Sequence, residues 1–476
     1  MRTLVWFRGK DLRTADHAPL RAAARSAAKE NGEVIPLFVL DEHFFRPEAA
    51  QRTPFRIQFL LESVASLAAN LDHLGSKLIV VAGRGIEQVP ALAERWKVDR
   101  VVAQSWVAPL GRERDRKIGK ALRVPLQLFD TETLCPPGTL RTGAGDPYSV
   151  FTAFARAFVR DIRVEPASPA PRGLPPLPAD VKTRGVELPS LESLGLAHNP
   201  RAQAGGERNA RTRLTQWLSR EAKDYDELRN RMDLPGTSRL SADLKFGTLS
   251  VRTAWNAVDR RLRELSPDAL RVYQNELLWR EFAHSTLFDR PQLLEKPFRP
   301  EWRDFPWRRD EDGWLAWVGG RTGYPVVDAA ARQLLATGFV HNRARMVAAS
   351  FLAKHLLIDF RQGEAHYFDL LTDGDWANND AGWQWSAGCG CDAQPWFRVF
   401  NPVTQGEKFD PEGNYVREWV PELALMPAKH IHSPWAAPQA VLAAAGVRLG
   451  VNYPRPIVEH DYARKRFLET AKKHLG

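Results

Sequence analysis

From Glu165 to Pro178 the chain reads Glu165-Pro166-Ala167-Ser168-Pro169-Ala170-Pro171-Arg172-Gly173-Leu174-Pro175-Pro176-Leu177-Pro178, six prolines in fourteen residues. Proline at that density removes backbone donors and fixes φ, so no helix or central strand can run through it. The segment, which continues to about Pro189, reads as an extended connector, and the chain on either side must fold from its own pattern. Ahead of it, Thr3–Phe7, Val34–Leu40, Lys77–Ala82, Arg100–Gln104 and Leu126–Phe129 read as buried strands. Pro54–Leu74, Ile86–Trp96 and Gly111–Leu122 carry helical spacing between them. That alternation predicts a parallel sheet with right-handed crossovers. After about Gly205 strand patterns largely stop, and Glu207–Arg220, Ser250–Leu265, Ala269–Ser285, Tyr324–Thr337, Asn342–Asp359 and Glu364–Leu371 are apolar at helical spacing. The expected fold class is an α/β N-terminal parallel-sheet (Rossmann-like) domain over 1–135, a Pro-rich interdomain connector over 136–204, and an all-α domain over 205–476.

Composition narrows the function classes. Three cysteines, Cys135, Cys389 and Cys391, are too few for a disulfide framework and lack the Cys/His spacing of a structural zinc site, so a reducing compartment and no metal are expected. There is no signal-peptide pattern after Met1 and no bilayer-length apolar run, which predicts a soluble intracellular protein. A formal charge of +10 is compatible with a polyanionic partner. Ten of the sixteen tryptophans fall between Trp255 and Trp396. The first strand is followed by Phe7-Arg8-Gly9-Lys10-Asp11 and not by G-x-G-x-x-G, so a standard dinucleotide fingerprint is absent.

Three constellations carry possible chemistry. Gly236-Thr237-Ser238-Arg239-Leu240-Ser241 precedes a helical turn, with Ser241 as a candidate N-cap and free amides suited to a phosphate, although an ordinary capped helix explains the same residues. In Gln274-Asn275-Glu276-Leu277-Leu278-Trp279-Arg280, Glu276, Trp279 and Arg280 share one helical face; the bland account is a surface ion pair beside a half-buried indole. Asp373-Gly374-Asp375-Trp376-Ala377-Asn378-Asn379-Asp380-Ala381-Gly382-Trp383-Gln384-Trp385 holds too many amides and carboxylates for plain core. Trp383 and Trp385 diverge by about 200° on a helix, so one indole faces inward where the other faces out.

These segments, together with Leu4-Val5-Trp6-Phe7-Arg8, Asp11-Leu12-Arg13, Thr322-Gly323-Tyr324-Pro325, His341-Asn342-Arg343-Ala344-Arg345-Met346 and Phe397-Arg398-Val399-Phe400-Asn401-Pro402, resemble the DNA photolyase and cryptochrome family, in order and over nearly the whole chain. Within it the chain looks most like the class I cyclobutane pyrimidine dimer photolyases of bacteria. The resemblance implies a monomeric, cytoplasmic, nucleoid-associated flavoprotein that repairs ultraviolet-damaged DNA with blue light. FAD would lie in the helical domain, with Tyr225, Thr237, Ser238, Arg239, Leu240 and Ser241 at its phosphates. Arg280, Asn342, Arg345, Asp373 and Asp375 would line the rest of the cofactor, with Asn379 against the flavin N5. Trp279, Trp385 and Met346 would wall a flipped-out dimer, and Glu276 would hydrogen-bond its base edge. Arg229, Arg343, Arg398 and Lys408 would hold the flanking phosphates.

Two positions depart from the family pattern. Trp383 and Trp307 match the inner and outer members of its tryptophan electron-transfer chain, but the middle place is Phe360, so photoreduction is expected to be slow or to run through Trp396 or Trp317. The folate-antenna residues are replaced by Ser105-Trp106-Val107-Ala108-Pro109-Leu110-Gly111 and Leu293-Leu294, which leaves the antenna open among a folate, a deazaflavin, another flavin or none. A cryptochrome-type blue-light receptor is the main rival reading. A (6-4) photoproduct enzyme would carry histidines where Asn342 and Met346 stand, and a non-catalytic basic DNA-binding protein leaves the Asp/Asn/Trp segment unexplained.

Overall fold

The structure is a computed structural model describing residues 1–182 and 185–475. Its contacts divide the chain into two compact units: 1–223 with 238–291 and 372–377, and 224–237 with 292–371 and 378–476.

The first unit is built on five parallel strands, β1 Arg2–Phe7, β2 Glu33–Leu40, β3 Ile79–Ala82, β4 Arg100–Gln104 and β5 Leu126–Phe129, in the order β3-β2-β1-β4-β5. Val5 pairs with Pro36 on one side and Val102 on the other, so β1 sits where the strand order reverses. Side chains alternate across it. Val5 and Phe7 face Phe59, Val64 and Leu67 of the helix Pro54–His73, while Leu4 and Trp6 join Val89, Leu92 and Ile118 of the helices on the other face. The five expected strands are present. The sequence reading passed over the helix Ala18–Glu30 between β1 and β2, whose buried face beyond Leu20 is made only of the small residues Ala23 and Ala27.

The proline segment is irregular, as expected, but it is bound to the sheet layer. The Leu174 amide donates to the Leu74 carbonyl at 2.7 Å, and the Val186 amide to the Val80 carbonyl of β3 at 3.0 Å. Leu174, Leu177, Val181 and Leu188 pack into the two sheet cores. Helices Glu207–Arg220, Val251–Leu262 and Pro267–Asp289 complete this unit.

The second unit is helical around a core that includes Trp302, Trp317, Tyr324, Phe351, Trp383 and Tyr415. The helix expected over Asn342–Asp359 is not continuous. It is α-helical over Asn342–Ser350 and π-helical over Phe351–Leu356, and it ends at Leu357 in the left-handed region, φ +57°. Asp359 then accepts from the Arg361 amide and starts the next helix, Phe360–Leu370. Apolar spacing runs through both pieces, so periodicity alone hides the break.

The Thr322-Gly323-Tyr324-Pro325 motif has a structural role here. Buried Asp328 accepts from the Thr322 amide and hydroxyl, both at 2.7 Å, from the Gly323 amide at 3.1 Å and from the Tyr453 hydroxyl at 2.7 Å. Gly323 is held at φ +79°, where a Cβ would meet the Arg455 carbonyl at 2.4 Å. Asp328→Ala strands four donors, so urea unfolding is expected to show a loss of about 3 kcal/mol. An unchanged midpoint would remove Asp328 from this role.

Candidate functional site

Pro267–Asp289 is capped by proline in its first turn and carries Tyr273, Glu276, Trp279, Arg280, Glu281 and His284 along 23 residues. Glu276 and Trp279 lie one turn apart and are half-buried. One face of the Trp279 indole is covered by Phe151, 3.8 Å between centroids and 7° between planes, which fixes the ring edge-on to Phe282. Phe151 was not singled out in the sequence; nothing local links residue 151 to 279. Arg280 donates to Glu281 at 3.2 Å and to the Glu132 carbonyl at 3.0 Å. These partners differ from the Glu276 ion pair that spacing suggested.

The Thr237 to Ser241 segment leads into the short helix Ser241–Phe246. Ser241 is its first residue and not its N-cap; Leu240 takes that place and has no side-chain oxygen to bond the first-turn amides. Arg239 is exposed and left-handed at φ +52°, and Ser238 Oγ lies 3.0 Å from the Tyr273 hydroxyl. Burial pushes that phenol up to about 12, so it stays neutral. Tyr225, assigned with this group, is buried in the second unit.

In the second unit, the His341 side chain caps Asn342–Ser350 by accepting from the Arg343 amide at 3.1 Å. Burial, with Arg345 and Arg343 nearby, pushes His341 down to about 4, which keeps the ring neutral and able to accept. Asn342, Arg345 and Met346 then share a face, with Asn342 Nδ2 3.8 Å from Met346 Sδ and Arg345 Nε donating to the Val340 carbonyl at 2.8 Å. On the helix Trp376–Ala387, Asn379 Nδ2 donates to the Glu364 carbonyl at 3.0 Å. Glu364 and Asp380 are both pushed above the carboxylate range, chiefly by burial, so this helix runs beside carboxyls that resist ionising. Trp383 is buried and Trp385 half-buried, the divergence expected of positions two apart.

Trp383 contacts other aromatic side chains. Trp383 lies 6.0 Å from Trp317 and 5.2 Å from Tyr367, and Trp317 lies 5.6 Å from half-buried Trp314. Trp307 is 6.1 Å from Phe360. Of the four expected phosphate ligands, three are neighbours. Arg343 bonds Asn230 at 2.7 Å, next in sequence to Arg229, and it lies over the Phe409 ring at 4.3 Å, with Lys408 over the same ring at 5.4 Å. Arg398 is exposed on a separate loop whose Arg398 carbonyl accepts from the buried Lys354 at 2.7 Å.

A further group in the first unit was not foreseen. Lys10, after β1, lies between Glu132 and Asp375, and His284 Nε2 lies 3.5 and 3.6 Å from the same two carboxylates. Glu132, His284 and Asp375 offer ligand atoms within 4.8 Å of one another, but the cation among them is the Lys10 ammonium. Nearby, Arg114 and Arg8 lie 4.4 and 5.5 Å over the Trp106 ring, at the carboxyl ends of β1 and β4.

Residues 3–175 match the DNA photolyase family model, and residues 273–473 match the FAD binding domain of DNA photolyase. The chain is 38% identical over 473 residues to the deoxyribodipyrimidine photo-lyase of Agrobacterium fabrum, covering 98% of this chain and 96% of the relative. It superposes with a TM-score of 0.92 on a bacterial class III photolyase from Agrobacterium tumefaciens, 37% identical, covering 100% of this chain and 98% of the other. It superposes with a TM-score of 0.90 on a cryptochrome of Synechocystis sp. PCC6803, 32% identical, covering 99% of each. With a parallel α/β unit, a helical unit and both family segments in place, the chain belongs to the DNA photolyase family and carries that family's FAD-binding domain.

Proposed function

We propose that this protein splits cyclobutane pyrimidine dimers in ultraviolet-damaged DNA, using blue light and bound FAD. The observation that carries this reading is the Glu276/Trp279 pair, an indole braced on one face by Phe151 with a carboxylate one turn away. The residue chemistry fits FAD. Ser238 and Arg239 are suited to its phosphates, with Thr237, Leu240, Ser241 and Tyr225 as further neighbours. Asp373, Asp375, Asn342, Arg280 and Arg345 supply acceptors and donors for the ribose and flavin edges, and Asn379 serves the flavin N5.

Bound in its reduced form, FAD would supply the photoexcited electron that ring opening borrows and then returns. The protein does the rest by holding the substrate. Trp279 and Trp385 stack on the flipped bases, at about 1–3 kcal/mol per base, and Met346 fills the space beside them. Glu276 binds the base edge, and a hydrogen bond donated by its protonated carboxyl group strengthens as negative charge builds on the dimer. The protein acts as a cytoplasmic monomer that joins the nucleoid at damage. The arginines around Trp106 favour an anionic antenna, with a folate, a deazaflavin and an empty cleft as the outcomes of an absorption spectrum. Among the described residues no helix is long and apolar enough to cross a membrane.

Incubation of the reduced, FAD-loaded protein with a thymine-dimer oligonucleotide is expected to remove dimers in blue light and not in darkness. Glu276→Ala is expected to bind the damaged strand nearly normally while ring opening slows about tenfold, the loss of one hydrogen bond to a charged group. An unchanged repair yield takes Glu276 out of the mechanism. The likeness to the Synechocystis cryptochrome favours a second reading, a blue-light receptor with little repair. Equal dimer content in light and darkness would favour it. Motif resemblance favours class I and the Agrobacterium structure class III; the residues and the test are the same for both.

A further inference from the structure

Asp375 precedes the helix Trp376–Ala387, and both of its oxygens are engaged. Oδ1 accepts from the Ala377 amide at 3.1 Å, which ties the carboxylate to the start of that helix. Oδ2 accepts from Lys10 Nζ at 3.0 Å. Lys10 also donates to Glu132, whose other oxygen accepts from the Val107 amide at 2.8 Å. The Lys10 carbonyl in turn accepts from Gln104 Nε2 at 3.0 Å. The ammonium is thus set in place by the ends of β1, β4 and β5 before it meets Asp375. All three side chains are at least nine-tenths buried, so two carboxylates would face one another in a dry site without the cation between them. Burial alone would lower the Lys10 pKa, yet Asp375 and Glu132 outweigh it and raise it, so the lysine stays charged. Burial likewise works against Glu132, and Lys10 with His284 brings it below the usual carboxylate range.

We propose that Lys10 is a positioning residue for the flavin: from the loop after β1 it holds the Asp375 carboxylate and the first turn of the Trp376–Ala387 helix in the orientation the cofactor needs. This rests on the reading that Asp375 lines the flavin, and it goes beyond it by assigning the N-terminal sheet a part in cofactor retention. Lys10 need not touch the flavin. It acts through a carboxylate whose other oxygen is held by the Ala377 amide, so the ammonium and that amide together set its plane.

The test is the rate at which FAD leaves the holoprotein, followed as the rise of free-flavin fluorescence after dilution, with thermal unfolding recorded beside it. Lys10→Met alone leaves two buried anions and is expected to unfold early. The deciding variant is therefore Lys10→Met/Glu132→Gln, which removes one charge of each sign. It is expected to melt close to the parent yet to release FAD about ten- to a hundredfold faster, the loss of one hydrogen bond to a charged group. Asp375→Asn is expected to do the same. Parent-like release from the folded double variant overturns the role of Lys10 if Asp375→Asn is fast; if Asp375→Asn is also parent-like, the reading of Asp375 itself has failed. Lys10→Gln/Glu132→Gln, with amides at nearly constant volume, repeats the comparison should the methionine variant not fold. Hydrogen exchange of the Trp376 to Asn379 amides gives a second readout: faster exchange in the double variant is expected, and unchanged exchange counts against the proposal.

Discussion

Light-driven reduction of the bound flavin is expected to be lost in Trp383→Phe and to lose most of its rate in Trp317→Phe, while Trp307→Phe retains it. The reason is the order of the rings. Trp383 reaches Trp317 at 6.0 Å and Trp317 reaches the half-buried Trp314 at 5.6 Å, stacked at 23°, so three indoles in succession lead from the buried end toward solvent. On the other side Trp307 contacts Phe305, Trp302 and Phe360, at 4.5, 6.1 and 6.1 Å, and of these Phe360 stands at the middle place of the expected chain, where a benzene ring gives up an electron far less readily than an indole. Tyr367 touches both Trp383 and Trp317, at 5.2 and 5.7 Å, but its buried hydroxyl has no hydrogen-bond partner among the described residues to take up the proton that oxidation would release. Phe360→Trp is expected to open a second branch and speed reduction. The measurement is the loss of oxidised-flavin absorbance under blue light with an external reductant. Full rate in Trp317→Phe together with loss in Trp307→Phe would reverse the assignment. Dimer repair by chemically reduced protein is expected to survive all of these changes except where Trp383→Phe disturbs the core it helps to fill.

Neutralising Arg229, Arg343, Arg398 and Lys408 together is expected to flatten the salt dependence of binding to damaged duplex. Each phosphate contact contributes about 0.9 to the slope of log affinity against log salt, so four account for a loss of about a hundredfold between about 50 and about 200 mM salt. The variant should therefore bind more weakly at low salt and show little further loss as salt rises. Its repair rate once saturated with substrate is expected to stay near the parent value, because these residues position and do not react. Arg343 is the one whose replacement should also affect folding, since it bonds Asn230 and covers Phe409. Arg398→Gln and Lys408→Gln, both exposed, are expected to change binding alone. An unchanged slope would move the DNA surface elsewhere on the molecule.

What could be read from the sequence followed the range of the interaction involved. Strands β1 to β5 were legible because each is a short apolar run flanked by turns, while their register was not, since β1 and β2 are buried almost throughout and offer no alternation to set it. Asn342, Arg345 and Met346 were named through the family resemblance, and the helix Asn342–Ser350 does place them on one face. The π-helical stretch at 351–356 was not, since its apolar side chains repeat as an α-helix would. The bracing of Trp279 by Phe151 and of Asp375 by Lys10 depends on pairings across 128 and 365 residues, respectively, for which no local pattern exists. Ser241 was misplaced by one position because a serine before a helix is a stronger signal than the leucine that in fact stands at the cap.

The proline-rich connector has a consequence for how the sheet survives alone in solution. Strand β3 lies at one end of the strand order, and its outer main-chain groups are the ones a foreign strand would seek. The Val186 amide already occupies the Val80 carbonyl there, and Leu177 and Val181 lie against the neighbouring core. A segment whose composition suggests a passive spacer thus closes the edge against intermolecular strand pairing. A fragment ending before residue 165 would keep every strand and lose that protection, and would be the form of this chain most prone to aggregate.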